Sequence, residues 1–348
     1  MLNSLKRRPR GRRLSVLLHG APAPLTRPGP ELARTAKVRP LSAAPATDRL
    51  YARLDAADIA AALAAMSDER RAQLHALEHA DPLTHRRVLL AYTVYEGPDE
   101  LVAKLGLSRA TPPEEVHALG RGPLASGGDY YSADNVADAL ASAGAPLAPG
   151  QRGLDFGCSS ARVVRVLAAA YPETAWSGCD PIPGAIAWAQ DNLDGIAFEV
   201  SPLRPPLPHP DASFDVAFGW SIWTHFGREP ALAWLDEMHR LLAPGGHLVL
   251  TTHGLPTLHE WERRAVWNVA DLDLLRRELY AEGFAYRAVF GPEGDGGVPQ
   301  DDWGNAFMTL DWLAERACPQ WSIRSFLPGR VDDIQDVIVL RREPDQAA

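Results

Sequence analysis

Residues 153–180, GLDFGCSSARVVRVLAAAYPETAWSGCD, constrain the fold of this 348-residue chain more than any other stretch. A short strand pattern at 154–156 ends at Gly157 in a turn of small residues. Apolar residues then recur at helical spacing, and a second strand pattern ends on a lone acid, Asp180. In a strand–helix–strand unit the strands are parallel, so the turn and the acid lie at the same edge of the sheet. We therefore predict an α/β fold with its site at that edge.

Small residues followed by an acid favour a nucleoside ligand. Backbone N–H groups at such a turn are expected to point outward, and small side chains let a ligand approach them. An acid at the tip of the second strand, here Asp180, accepts hydrogen bonds from both hydroxyls of a ribose. The turn reads GCSSAR from Gly157 and fails the G-x-G-x-x-G spacing that the pyrophosphate of a dinucleotide requires. A nucleoside cofactor without a pyrophosphate is therefore expected.

The stretch LDFGCSSAR resembles the S-adenosylmethionine turn of class I methyltransferases, (D/E)-x-G-x-G-x-G, in the Cys-Ser version that some members carry. Gly157 keeps the first glycine, while Ser159 and Ala161 replace the other two with small residues. If φ at Ala161 is positive, its Cβ is expected to crowd the methionine moiety. The resemblance implies a Rossmann-like, doubly wound, seven-stranded sheet that binds S-adenosyl-L-methionine.

Further stretches are similar to the family in the same order along the chain. PIPGAIAWAQDNL resembles the second helix, and DASFDVAFGWSIWTHF resembles the fourth strand, from Asp215 to near Gly219. ALAWLDEMHRLLAPGGHLVLTTHG resembles the helix, Pro-Gly-Gly turn and fifth strand that follow. GFAYRAVF and IQDVIVLRRE are expected to be the last two strands, which form an antiparallel edge. Glycine loops and aromatic residues at 291–329 are predicted as an insert between those strands, a lid or pocket wall.

The resemblance also implies which residues hold the cofactor. Pro181 or Ile182 would pack on the adenine, and two tyrosines upstream of the first strand are placed to close over the methionine end. The expected cofactor-binding residues are Asp155, Gly157, Ser159, Asp180, Pro181, Ile182, Leu203, Trp220, Ser221, Tyr130 and Tyr131.

Two histidines are candidates for a catalytic base. Methyl transfer from a sulfonium is an in-line displacement, and much of its rate comes from holding donor and acceptor in contact. A base is needed only when the acceptor must lose a proton. His225 lies shortly after the fourth strand and His253 directly follows the fifth, and an imidazole has a suitable pKa for this role. The alternative is that both histidines are structural.

Several other activities lack their sequence signatures. After the fourth strand, GWSI stands where base-amino methyltransferases carry [DNS]-P-P-[YFW], and the acidic ligands of metal-dependent catechol methyltransferases are missing there. His75, Glu78 and His79 match the zinc-peptidase pattern H-x-x-E-H. Leu74 and Leu77, however, define the apolar side of that helix and leave the triplet on its polar side. We expect neither a bound metal nor nucleobase methylation.

Composition divides the chain into three parts. Residues 1–46 are predicted to be a disordered basic tail, residues 47–124 a helical region, and residues 125–343 the methyltransferase domain with its 291–329 insert. The tail resembles a twin-arginine signal, but its apolar core of five residues is shorter than the usual 7–15 or so. No apolar run reaches the roughly 18 residues of a membrane span. Three cysteines without a CxxC pair favour a reducing compartment, and we expect a cytoplasmic protein.

These observations predict a metal-independent methyltransferase that uses S-adenosyl-L-methionine and modifies an oxygen, or less favourably a nitrogen, of a small molecule such as a sugar or secondary metabolite. The net charge of −9 and the missing base-methylation motif disfavour a nucleic-acid partner. Two alternatives stay open. One is an RNA or protein methyltransferase that uses the basic tail, where residues 1–40 hold ten Lys and Arg against one acid. The other is a non-catalytic domain, suggested by Ser159 and Ala161.

Overall fold

The computed structural model describes residues 43–113, 128–289, 298–299 and 301–344. Most of the predicted basic tail therefore lies outside the described residues. The first helix begins at Pro45, within the segment predicted as tail, and Ala44 and Ala46 are fully buried. The folded part of the chain consequently starts a few residues earlier than the composition indicated.

A layer of helices precedes the sheet, as the sequence predicted. These helices are α1 (Pro45–Tyr51), α2 (Ala56–Ala65), α3 (Asp68–Glu78), α4 (Pro82–Glu96), α5 (Asp99–Leu105) and α6 (Tyr130–Ser142). Side chains of Asp55 and Asp81 accept hydrogen bonds from the first-turn N–H groups of α2 and α4, which fixes where those helices begin. Helix α1 packs against α6 and against the first helix of the αβ unit, so the layer is joined to the core.

The central strands are parallel, as predicted. Strands β1 to β5 lie in the order β3-β2-β1-β4-β5. Two helices, α7 and α8, follow β1 and β2, and α9 lies between β4 and β5. The bounds are β1 (Arg152–Phe156), α7 (Val164–Ala170), β2 (Ala175–Asp180), α8 (Pro183–Asn192), β3 (Ile196–Val200), β4 (Phe214–Gly219), α9 (Arg228–Leu241) and β5 (Leu242–His253).

Among the described residues the sheet has nine strands instead of the predicted seven, and its last part differs from the prediction. The elements are α10 (Leu255–Arg263), α11 (Val269–Glu282), β6 (Phe284–Arg287), β7 (Asn305–Met308), α12 (Leu310–Ala317), β8 (Trp321–Val331) and β9 (Gln335–Arg342). Strand β9 pairs antiparallel with both β5 and β8. IQDVIVLRRE therefore forms one strand of an antiparallel hairpin, as expected. The other strand of that hairpin is β8, which lies largely inside the predicted 291–329 insert. GFAYRAVF instead supplies β6, which pairs with β7.

Strand β8 was not predicted because its local sequence is typical of a loop. Its sequence WSIRSFLPGRV contains Pro328 and Gly329, which are typical of loops, and the pairing with β9 shifts register between Leu327 and Val331. A bulge of this kind tolerates proline and glycine inside a strand. The β6–β7 hairpin reaches the main sheet at one bridge between His253 and Phe307, beyond the end of β4. It therefore extends the sheet from the carboxyl end of β5.

A buried carboxylate joins three helices of the helical layer, α1, α4 and α6. Asp134 of α6 is fully buried and accepts hydrogen bonds from the backbone N–H and hydroxyl of Thr47, at 2.9 and 2.7 Å. The Arg87 guanidinium donates to the same carboxylate at 2.7 Å. Burial raises the pKa of Asp134 even though these partners favour its charged form. This ion pair therefore links α4 to α6 within the layer.

We predict that Asp134→Ala destabilises the fold by about 3–5 kcal/mol, because Arg87 would keep a nearly buried charge without its partner. The matched control is Asp273→Ala, which breaks a more exposed pair with Arg276 on α11 and should cost less than about 1 kcal/mol. Urea unfolding measures both variants. Equal losses in the two variants would show that the Asp134 pair contributes no more than an exposed one.

Candidate active site

Three positive φ angles shape the turn at residues 157–161. They are 78° at Gly157, 49° at Ser159 and 60° at Ala161. A left-handed conformation costs a non-glycine residue roughly 1–2 kcal/mol. Ser159 and Ala161, which stand where the family pattern has glycine, therefore adopt a backbone conformation that favours glycine. The side chain of Ala161 is fully buried, and its positive φ is the condition under which crowding at this position was expected.

Gly157 is required by packing within the protein. A Cβ at this position would lie 2.2 Å from Cδ1 of Ile222, a distance that real atoms do not approach. Ile222 follows β4, so its side chain reaches across to the end of β1. The sequence interpretation gave ligand approach as the reason for a small residue here. The structure shows that a neighbouring side chain already fills that space.

The Asp180 carboxylate fastens β2 to this turn. Its Oδ2 accepts a 2.8 Å hydrogen bond from the backbone N–H of Ser159, and its Oδ1 accepts a 3.0 Å bond from Ile182. The residue is only 6% exposed. Asp180 thus lies at the tip of β2 beside the turn, where the sequence placed it. The two bonds fix the Asp180 carboxylate against the backbone of the turn.

The turn's first N–H groups do not point outward as predicted. The N–H groups of Gly157 and Cys158 both donate to the carbonyl of Cys179 at 2.9 Å, and that of Ser159 donates to Asp180. The adjacent strand β2 uses all three donors, because parallel pairing brings its last residues against the turn. A ligand here must therefore be held by side chains more than by these three amides. Burial raises the pKa of the Cys158 thiol well above its usual range, which makes it a packing group.

Two buried hydroxyl groups near the turn have no partner among the described residues. Ser160 Oγ lies in the turn itself, and the Tyr130 hydroxyl lies at the start of α6, which packs on α7. An unpaired buried hydroxyl costs about 1–3 kcal/mol, so such groups indicate a missing polar partner. That the small turn residues, the Asp180 carboxylate and these hydroxyls hold the ribose and methionine ends of S-adenosylmethionine stays a prediction.

The structure places the other predicted cofactor residues around the same edge with different exposure. Pro181 and Ile182 are half-buried directly after Asp180, and Leu203 is 42% exposed. Asp155 is buried inside β1, and Trp220 is half-buried after β4. That these residues touch the cofactor stays a prediction.

Tyr131 is joined to the last hairpin. Its hydroxyl donates to the carbonyl of Arg330 at 3.1 Å, and burial raises its pKa to about 12. The Arg330 guanidinium donates to Asn135 Oδ1 at 2.9 Å and also pairs with Asp138. Helix α6 and the β8–β9 hairpin are therefore bonded to each other beside the site. Closure of Tyr131 over a bound methionine remains a prediction.

Ser221 has an unusual backbone conformation and two hydrogen bonds. Its φ is 61°, its N–H donates to Thr251 Oγ1 at 2.8 Å, and its hydroxyl donates to Gln335 Oε1 at 3.2 Å. Sequence reasoning found Ser221 but missed Ile222, Thr251 and Gln335. Their only signal was position after a strand or at the start of one, which does not show which side chains meet.

The two candidate bases are enclosed by aromatic side chains. His225 is 1% exposed, and its ring centroid lies 4.7 Å from that of Trp303. Its Nδ1 lies 2.7 Å from the Gly304 carbonyl oxygen. His253 is fully buried beside Phe307, and burial lowers its pKa to about 3. The rings are 6.4 Å apart. This burial favours a structural role for His253 and keeps its imidazole neutral.

The H-x-x-E-H triplet lies at the surface of α3. The His75 side chain is 82% exposed and pairs with Glu78 at 3.4 Å. Across the described ranges, no three His, Cys, Asp or Glu side chains are grouped as metal ligands. In the same part of the chain, no helix combines the length and apolarity of a membrane span.

Known proteins share parts of this sequence. The family described as "Methyltransferase domain" matches residues 154–246. A trans-aconitate 2-methyltransferase of Methylobacterium nodulans is 40% identical over 30% of this chain and 39% of its own length. A malonyl-[acyl-carrier protein] O-methyltransferase of Hahella chejuensis is 32% identical over 39% of this chain and 48% of its own. The chain thus spans less than half the length of these curated relatives.

Among solved structures, a SAM-dependent methyltransferase from Methanosarcina mazei aligns with part of this chain. It is 21% identical, covers 57% of this chain and 95% of its own, and has a TM-score of 0.41. Residues 154–246 therefore match a methyltransferase domain, and they run from β1 to β5 of the parallel sheet.

We predict that Gly157→Ala lowers the free energy of unfolding by about 2–4 kcal/mol, because the new Cβ meets Ile222 and the positive φ is unfavourable. Gly195→Ala is the matched control, since Gly195 has φ 76° and open space around its Cβ. Its cost should stay near 1 kcal/mol. Urea unfolding gives both values. Equal costs would mean that contact with Ile222 is not what requires glycine at 157.

Proposed function

We propose that this chain transfers a methyl group from S-adenosylmethionine to a carboxylate oxygen of a small molecule, without a metal. The observation that carries the proposal is the Asp180 carboxylate, bonded to the Ser159 N–H at 2.8 Å between the ends of β1 and β2. Both residues lie in the segment that matches the methyltransferase family. An acid fixed at this position is suited to bind two ribose hydroxyls.

The residues around the turn would orient the cofactor. S-adenosylmethionine, when bound, supplies an electrophilic methyl group on its sulfonium. Asp180 would accept hydrogen bonds from the ribose, while the Ser160 and Tyr130 hydroxyls, which lack partners among the described residues, would meet polar atoms of the methionine portion. Fixing the donor in this way accounts for much of the rate of an in-line displacement.

A carboxylate acceptor agrees with the surroundings of the histidines. The two relatives named above carry the names of a trans-aconitate methyltransferase and a malonyl O-methyltransferase, and both of those compounds bear carboxylates. A carboxyl group has a pKa near 4 and is already ionised at neutral pH, so no base has to remove its proton. Burial of His225 and His253 is then compatible with methyl transfer, because the reaction needs no catalytic base. The wider set of acceptors expected from sequence narrows to small molecules that carry an acid.

Asp180→Ala should weaken binding of S-adenosylhomocysteine about a hundredfold, because two charge-assisted hydrogen bonds worth roughly 3 kcal/mol together are lost. Isothermal titration calorimetry measures this. Asp191→Ala, an exposed acid on the following helix, is the control and should keep the parent's affinity. An Asp180→Ala affinity within about twofold of the parent would remove Asp180 from the cofactor site.

The acceptor is tested with a panel of small di- and tricarboxylic acids and their amides, with methyl transfer followed by mass spectrometry. We expect methyl esters from the acids and no product from the amides. His225→Gln should change turnover only a few-fold, since a carboxylate needs no base. A fall of about 10²–10⁴-fold in turnover, with cofactor affinity unchanged, would instead establish His225 as a base and argue for a protonated acceptor.

A further inference from the structure

The cofactor turn is supported from a distant part of the chain. Ile222 fills the space beside Gly157, and the residue before it, Ser221, has a φ of 61°. A serine in this conformation is strained, and such strain persists only when surrounding contacts hold it. The direction in which Ile222 leaves β4 is therefore set by whatever holds Ser221.

Two side chains hold Ser221, and both come from strands other than β4, which Ser221 follows. Thr251 of β5 accepts from its N–H at 2.8 Å, and Gln335 of β9 accepts from its hydroxyl at 3.2 Å. Gln335 is 4% exposed and lies opposite His253 in the antiparallel β5–β9 register. Pairing with β5 fixes the backbone of Gln335, so its carboxamide has a defined position. A buried hydrogen bond between neutral side chains contributes about 1 kcal/mol, comparable to the strain at one left-handed residue.

We propose that Gln335 is a positioning residue for the cofactor turn. It holds the Ser221 hydroxyl, which fixes the left-handed bend after β4, which in turn keeps Ile222 against Gly157. Gln335 belongs to the last hairpin, beyond the residues 154–246 that match the methyltransferase family. The effect on affinity rests on the proposed function, because it assumes that the 157–161 turn binds S-adenosylmethionine. The effect of Gln335 on the position of Ile222 does not depend on the proposed function.

The structural effect is tested by NMR of the full chain labelled at isoleucine δ1 methyl groups. The parent should show a nuclear Overhauser effect between the Ile222 methyl and the Gly157 α protons. Gln335→Leu, which has similar volume and no acceptor, should lose it, while Gln335→Glu keeps an acceptor oxygen and should retain it. Ser322→Ala removes a bond to Glu343 at the other end of the hairpin and should also retain it. An unchanged signal in Gln335→Leu overturns the proposal.

Ser221→Ala tests the same bond from its other partner, should Gln335→Leu fail to fold. Calorimetry with S-adenosylhomocysteine then separates positioning from general stability. We expect about a tenfold loss of affinity in Gln335→Leu, in Ser221→Ala and in the double variant, because all three break one interaction. A hundredfold loss in the double variant would mean independent effects and would contradict the proposal. A parent that binds no S-adenosylhomocysteine refutes the proposed function, while the methyl signal still decides the role of Gln335.

Discussion

The hydrogen bond from the Ser159 N–H to the Asp180 carboxylate is the interaction on which the site depends. Ser159 and Ala161 both adopt left-handed backbone conformations without being glycine. A bond between an amide and a charged acceptor contributes about 1.5–3 kcal/mol, which offsets the strain of one such residue. The bond also requires β1 and β2 to pair in register, since Phe156 lies opposite Cys179 and places Asp180 one step beyond. The geometry of the site therefore depends on the register in which β1 and β2 pair.

The glycine-poor version of the turn is explained by what surrounds each position. At Gly157 the space of a side chain is filled by Ile222, so glycine is retained. At Ser159 and Ala161 only the backbone conformation is unfavourable, and both small side chains are buried. Strand β2 supports the turn from one side through Asp180 and Cys179, and the residues after β4 support it from the other. Replacement of two glycines therefore leaves the turn intact, which weakens the suggestion of a non-catalytic domain that Ser159 and Ala161 raised.

Sequence patterns predicted the elements whose signals are local. Strands β1, β2 and β4 and the position of Asp180 were predicted because apolar periodicity and the terminal acid can be read within a short window. Strand β8 was missed because Pro328 and Gly329 are typical of loops, and only pairing with β9 makes them part of a strand. Burial of His253 and the contact between Ser221 and Gln335 join residues far apart in sequence. No spacing rule connects such positions, so the side chains that support the turn can be identified only from the structure.

A crystal structure of the chain with S-adenosylhomocysteine tests the central claim most directly. The account predicts that the ribose hydroxyls lie within hydrogen-bond distance of the Asp180 carboxylate while the bond to Ser159 is kept, and that Ile222 remains against Gly157. Density for the ligand at any other edge of the sheet would contradict it. So would a complex in which Asp180 keeps its two backbone partners and touches no atom of the ligand.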